Sequence, residues 1–202
     1  KLKDLSSKMI HLSQMRFNDF GETTSGLYGY YVSRLRTADI FNQDDYNIID
    51  YFMNSFDHKS KILEIAAGCG QVSFALQTLG YVNTEMSEFD SRRIAYAESL
   101  RDGLAIPLQI NALDFRELEL KAYHVIFVMN AVASSIGAQD ADLLIGAINS
   151  GTEVIIKYGY YGVDDKIFDI LDADESVTHK VIFKTNKEVR CYTMSNNERQ
   201  EV

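Results

Sequence analysis

Apolar residues follow two different rhythms along this chain. In residues 44–56, Tyr46, Ile49, Phe52, Met53 and Phe56 recur near a 3.6-residue period, which predicts an amphipathic helix. Asp44 and Asp45 stand at its start, where negative charge favours a helix N-terminus. The first sixty residues as a whole read as helical, interrupted by a Gly- and Tyr-bearing stretch at Gly21–Tyr31. From Lys61 the rhythm changes, and short continuous apolar runs alternate with helical stretches. The runs predict strands at Ile62–Ala66, Tyr81–Glu88, Leu108–Ala112, Tyr123–Met129 and Glu153–Tyr158. Between and after them, helices are predicted at Gln71–Leu79 (stopped by Gly80), Ser91–Asp102, Ala138–Asn149 and Asp165–Leu171. Two more strands, Thr178–Lys184 and Val189–Met194, read as a hairpin around Thr185-Asn186-Lys187-Glu188.

Strands that alternate with helices imply a parallel sheet covered on both faces. The closing hairpin adds an antiparallel strand at one edge. The expectation is therefore an α/β three-layer sandwich with a mostly parallel seven-stranded sheet and an antiparallel C-terminal strand. Its 202 residues suffice for one domain with a full core and are few for two. No proline- or glycine-rich linker, repeat or low-complexity stretch divides it.

Composition narrows the function. A net charge of −9 disfavours a protein that tracks a phosphate backbone, and Arg34, Arg36, Arg92 and Arg93 are the only local basic candidates. No apolar run approaches the roughly 20 residues needed to cross a bilayer, so no membrane is expected. The polar start, Lys1–Ile10, carries no secretory pattern, and a first residue other than Met suits a chain trimmed or cut from a longer one. Cys69 and Cys191 are expected as reduced thiols, which suits a cytoplasmic protein. The four histidines (His11, His58, His124, His179) lack ligand spacing, so no metal site is expected.

In an open parallel sheet, ligands bind beyond the carboxyl ends of the strands, where strand order reverses. That singles out the first strand-to-helix loop, Leu63-Glu64-Ile65-Ala66-Ala67-Gly68-Cys69-Gly70-Gln71. Gly68 and Gly70 let backbone approach a ligand, and the next helix directs its first amides at the loop. Glu64, just before the loop, opposes an anionic pyrophosphate and suits an ammonium group. Twenty residues after Gly68, Glu88 closes the second predicted strand, where a carboxylate can accept both hydroxyls of a ribose. Alternatively, Glu88 caps the helix that begins near Ser91; Glu85 and Asp90 compete for the ribose role, but Glu88 fits it better.

The segment from Lys61 to about Gly159 resembles the class I S-adenosylmethionine-dependent methyltransferases, which have a Rossmann-like fold. Glu64-Ile65-Ala66-Ala67-Gly68-Cys69-Gly70 is similar to the first motif of that family, Glu/Asp-x-Gly-x-Gly-x-Gly, with Ala66 at the first glycine. The resemblance implies S-adenosylmethionine as cofactor. It places Ala66, Gly68 and Gly70 around the methionine part, Glu64 at the loop and the amino group, and Glu88 on the ribose. Asn111-Ala112-Leu113-Asp114-Phe115 resembles the third-strand motif, Asp-Ala-x-Asp, which puts Asn111 on the adenine amine and Ala112 with its neighbours along the adenine pocket. Tyr123–Val132 resembles the fourth motif. There His124 stands at an Asp position and Asn130 lies at the strand end, where cofactor and acceptor meet. Ala131-Val132-Ala133 in place of Pro-Pro-Tyr argues against methylation of exocyclic amines of nucleobases or glutamine.

The resemblance also implies a helical lid over residues 1–60 and a core over 61–202. Tyr28, Tyr30 and Tyr31 fall in that lid, and Arg34 or Arg36 could reach the cofactor carboxylate. His124, Asn130 and Tyr158 are the candidate catalytic groups, and Tyr158-Gly159-Tyr160-Tyr161-Gly162 could border the acceptor. Each has a structural alternative: a hydrogen-bonded surface histidine, aromatics that only pack, a packed turn. The expected activity is methyl transfer to a small-molecule acceptor, with a sugar or protein side chain also open, and oligomeric state is left open. The alternatives are a non-catalytic domain that keeps the fold for binding cofactor or protein, and a nicotinamide oxidoreductase. The last fits poorly, because Ser73 replaces the third glycine of its fingerprint.

Overall fold

The computed structural model describes residues 1–16, 39–129, 136–157 and 163–195. Among the described residues, helices α1 (Leu2–Arg16) and α2 (Gln43–Ser55) precede the first strand. The alternating region then runs β1 (Ile62–Ile65), α3 (Gln71–Leu79), β2 (Thr84–Ser87), α4 (Ser91–Leu104), β3 (Gln109–Asn111), β4 (Val125–Val128), α5 (Ala141–Asn149), β5 (Glu153–Lys157) and α6 (Lys166–Ala173). Strands β6 (Val177–Lys184) and β7 (Glu188–Met194) close it. Every predicted strand and helix from residue 44 onward is present, with ends shifted by a few residues.

The shifts have physical causes. Helix α2 starts after Asn42, whose side chain accepts from the Asp45 amide while Asp45 accepts from the Asn42 amide. This reciprocal capping box satisfies two amides that the helix leaves unpaired. The second strand begins at Thr84, not Tyr81, because Tyr81–Asn83 turn: the Val82 amide donates to Gly80 and the Thr84 amide to Tyr81. Tyr81 is buried as a core residue, its hydroxyl donating to the Phe52 carbonyl at 2.8 Å. Two short 3₁₀ turns, Phe115–Glu117 and Leu120–Ala122, fill the stretch before β4 that the periodicity left without an element.

The strands form one sheet in the order β3-β2-β1-β4-β5-β7-β6. Strands β3 through β5 are mutually parallel, and β7 is antiparallel to both β5 and β6. One face is covered by α1–α4 through Met9, Ile49, Phe52, Val72, Leu76, Ala97 and Leu100. The other is covered by α5 and α6 through Leu144, Ile148, Ile167, Phe168 and Leu171. Strands β1 and β4 are buried along their whole length, as continuous apolar strands between two helical layers must be. Because β1 lies between β2 and β4, strand order reverses at β1, and the crevice opens at its carboxyl end.

Candidate functional site

At the carboxyl end of β1 the chain passes through Ala66 (φ 51°), Gly68 (φ 60°) and Gly70 (φ 69°) before entering α3. Three left-handed residues in five make a tight loop that folds back over the strand ends. Ala66 carries a Cβ in a conformation that usually costs about 1–2 kcal/mol. Gly68 could not accept a side chain without the same strain, yet a Cβ there would meet nothing within 4 Å, so its backbone faces open space. Gly70 is tight as well as left-handed, since a Cβ would lie 2.5 Å from Met86 Sδ. The loop is tied to its neighbours by the Ala67 amide on the Ser87 carbonyl, and by the Glu88 amide on the Asn111 carbonyl.

Two buried carboxylates face this loop. Glu88 accepts the Gly68 amide on Oε2 at 2.8 Å and the Phe89 and Asp90 amides on Oε1 at 2.9 and 3.0 Å. Arg93 Nη1 lies 3.7 Å from its Oε2. Glu88 does not cap α4; Asp90 does, accepting from the Arg92 amide. Glu64 accepts from the Ser73 amide at 3.1 Å and the Ser73 hydroxyl at 2.6 Å, both on Oε2. Its Oε1 is buried with no hydrogen-bond partner. Burial pushes the Glu64 carboxyl up to about 8; the Ser73 hydrogen bonds oppose that rise, and the nearby charges of Asp45 and Glu88 add to it.

Beside Glu88 a shallow hollow is lined by Ala66, Ser87, Phe89, Leu113, Phe115 and Arg116. Phe89 and Leu113 are 63% and 44% exposed, large apolar groups left uncovered at a strand end. Arg116 closes one side, held on Asp140 at 2.6 and 2.8 Å and on Asp114 at 2.8 Å. Asp140 in turn accepts the Gly137 amide, so this ion pair ties the β3 side of the hollow to the segment leading into α5.

The sequence matches no family model and no curated protein. Solved structures do resemble it. Magnesium protoporphyrin IX methyltransferase from Synechocystis PCC 6803, with bound SAM, superposes with a TM-score of 0.59 and 14% identity over 76% of this chain and 79% of that one. The same protein with bound SAH matches 96% of this chain and 100% of that chain, with a TM-score of 0.58 and 12% identity. Ribosomal protein L11 methylase from Lactobacillus delbrueckii subsp. bulgaricus gives a TM-score of 0.59 with 14% identity over 77% and 81%. The fold is that of the class I methyltransferases.

Within this methyltransferase fold the residues singled out in the sequence divide into four groups. Glu64, Ala66, Gly68, Gly70 and Glu88 converge at the carboxyl ends of β1 and β2. Asn111 and Ala112 lie at the end of β3, but the Asn111 side chain turns aside: its Nδ2 donates to Glu85 at 3.1 Å and its oxygen accepts from Gln109 at 3.0 Å. His124 is elsewhere. It precedes β4, its Nδ1 accepting the Lys61 amide at 2.9 Å, and the length of the strand, roughly 13 Å, separates it from the carboxyl end. A base there cannot reach an acceptor at the crevice, and the surface hydrogen-bonded alternative describes it. Asn130, Tyr158, Arg34, Arg36, the tyrosines of the expected lid and the Tyr158–Gly162 stretch lie outside the described residues.

Sequence reasoning missed Phe89, Arg116, Ser73 and Asp45. Phe89 directly follows Glu88, and its place just past a strand end was the available signal. Nothing local marks the other three, whose roles depend on contacts across 9 to 24 residues or between elements. Among the described residues no group of three metal-ligating side chains forms, and no helix is long and apolar enough to cross a membrane. Neither cysteine is in a disulfide.

Proposed function

We propose that this chain binds S-adenosylmethionine over the β1–α3 loop and transfers its methyl group to a small-molecule acceptor, with a sugar or protein side chain as the other candidates. One observation carries the reading. At the reversal point of this sheet order, a backbone open at Gly68, an unpaired buried carboxylate oxygen on Glu64 and a backbone-pinned Glu88 surround the same loop.

The residues suit that cofactor. Glu88 is held by three backbone amides, so its carboxylate is pre-oriented, and the one lone-pair site left on Oε2 serves a ribose hydroxyl. Phe89 and Leu113 offer apolar faces for a purine, and Asn111 and Ala112, just before Leu113 in the chain, are retained as candidates on the adenine side, although the Asn111 amide is engaged by Glu85 and Gln109. Glu64 Oε1 is an acceptor for an ammonium group, and Ala66, Gly68 and Gly70 curve around the same end. When bound, the cofactor supplies a methyl group on a sulfonium, a good leaving group. The protein's task is then chiefly to align acceptor and methyl and to exclude water. Asn130 and Tyr158, which follow β4 and β5, are retained as candidates on the acceptor side, and Arg34 for the cofactor carboxylate. In this reading residues 1–202 form a single domain, with 1–60 as the lid segment and 61–202 as the core. The cytoplasm is the compartment proposed for it, which two cysteines outside any disulfide suit.

The test is calorimetric titration of the full chain with S-adenosylmethionine and S-adenosylhomocysteine, beside Phe89→Ala. Micromolar binding weakened by the variant supports the reading and opens a search for the acceptor with labelled methyl groups. Absence of binding by the folded wild-type protein overturns it.

A further inference from the structure

Glu64 is 1% exposed and lies on the strand at the centre of the crevice. Both hydrogen bonds it receives come from Ser73 of α3 and end on Oε2. Its other oxygen is buried and has no partner. Burial makes its ionisation harder, the two Ser73 hydrogen bonds ease it, and the neighbouring charges again oppose it. Asp45 of α2, itself fully buried, and Glu88 beyond β2 both bring negative charge, and β4 places Phe127 alongside in register. Among the described residues the cation beside Glu88 is Arg93, 3.7 Å from that carboxylate. A buried, half-bonded carboxylate amid like charges resists ionising until a positive charge reaches it.

We propose that Glu64 is a proton-exchanging receptor for cationic ligands: a ligand ammonium entering the β1–α3 loop takes the place of the Glu64 proton, so binding selects for positive charge and releases a proton to solvent. The proposal rests on the cofactor reading above and deepens it. The O–H bond of the carboxyl breaks, its electron pair stays on Oε1, and the proton passes to the buffer. No covalent bond to the ligand forms. Asp45 and Glu88 act in the same sense as Glu64: their charges add to the burial that holds its proton in the free protein, and they attract the cation that replaces it. Below the pH at which free Glu64 ionises, ligand affinity therefore rises with pH, by up to about tenfold per unit.

The experiment is titration calorimetry of the full chain with S-adenosylmethionine near neutral pH in buffers of different ionisation enthalpy. The expected result is a buffer-dependent enthalpy corresponding to about one proton released, fading toward zero well above the pH at which free Glu64 ionises, and lost in Glu64→Gln. An infrared difference spectrum of the wild-type protein provides a readout that needs no variant: the carbonyl stretch of a protonated carboxyl disappears on binding. Binding with a buffer-independent enthalpy and no lost carboxyl band overturns the coupling alone, as does proton release that persists unchanged in a folded Glu64→Gln protein. No binding by the folded wild type overturns the cofactor reading, and the coupling falls with it.

Discussion

Glu85 and Glu64 sit on the neighbouring strands β2 and β1, and the sheet treats them in opposite ways. Around Glu85 each oxygen has a partner. The Tyr123 hydroxyl and Asn111 Nδ2 donate to Oε2 at 2.8 and 3.1 Å, and Lys61 Nζ lies 3.7 Å from Oε1. Lys61 also rests 4.3 Å above the Tyr123 ring, and its backbone amide is taken up by His124. Around Glu64 one oxygen holds both Ser73 bonds and the other holds none. The surroundings differ in the same way. Near Glu64 the chain bears a left-handed alanine at Ala66, an open backbone at Gly68 and uncovered apolar groups at Phe89 and Leu113. A fold with only about 5–15 kcal/mol of net stability tolerates such unmet bonds and strain where something else compensates for them. Counting acids does not separate the two places; asking which acid lacks a partner does.

The comparison can be broken most forcefully at Gly70. Gly70→Ala drives a Cβ into Met86 Sδ at 2.5 Å in a left-handed conformation, so the variant is expected to lose about 2–4 kcal/mol in denaturant unfolding and to bind no cofactor. Isosteric replacement of the two acids sharpens the contrast next. Glu85→Gln sets an amide donor into a network that already contains the donors Tyr123 and Asn111, and should cost about 1–2 kcal/mol at neutral pH.

Glu64→Gln should act in the other direction, with a pH dependence whose sign follows from linkage. The folded-state value near 8 lies above the ordinary 4.5, so the native state holds the proton more tightly than the unfolded chain. The stability that Glu64 contributes is then fully present below pH 4.5 and lost as pH rises toward 8, at up to about 1.4 kcal/mol per unit. Unfolding followed across that window should decline in the wild type and run flatter in Glu64→Gln, leaving the variant the more stable protein at the alkaline end. Parallel curves would remove the contrast with Glu85. Ala66→Gly relieves a left-handed Cβ but adds backbone freedom to the unfolded chain, for a net gain of about 0.5–1 kcal/mol, measurable as a raised unfolding midpoint. Phe89→Ala has the smallest expected effect on stability, within about 0.5 kcal/mol, because the ring is exposed. Its affinity for S-adenosylmethionine should nevertheless fall roughly tenfold in the same calorimetry.

Much of this molecule is legible from local pattern. The run Ile62–Ile65, the glycines that follow and the helix beginning at Gln71 are written in adjacent residues, and so is the turn between β6 and β7. Strand ends were harder. Tyr81 looks like the start of a strand because it is apolar and β-prone, yet a hydrogen bond to Phe52, 29 residues away, makes it a core anchor before a turn. The resemblance matches His124 to the motif position that opens the fourth strand, yet His124 also stands among the candidate catalytic groups. Four residues of β4 are enough to put it at the wrong end of the sheet.

The sequence by itself determined the element types, their alternation, the sheet with helices on both faces and the loop that faces the crevice. These follow from short continuous apolar runs, from the 3.6-residue period and from glycine's access to left-handed backbone, all properties of near neighbours. Only the tertiary structure decided that Glu64 is left with an unpaired oxygen, that Asp45 of a distant helix adds to its burden, that Asn111 turns to Glu85, and that Phe89 and Leu113 remain uncovered. Burial and hydrogen-bond satisfaction depend on what long-range folding brings alongside a group, and no local period records that.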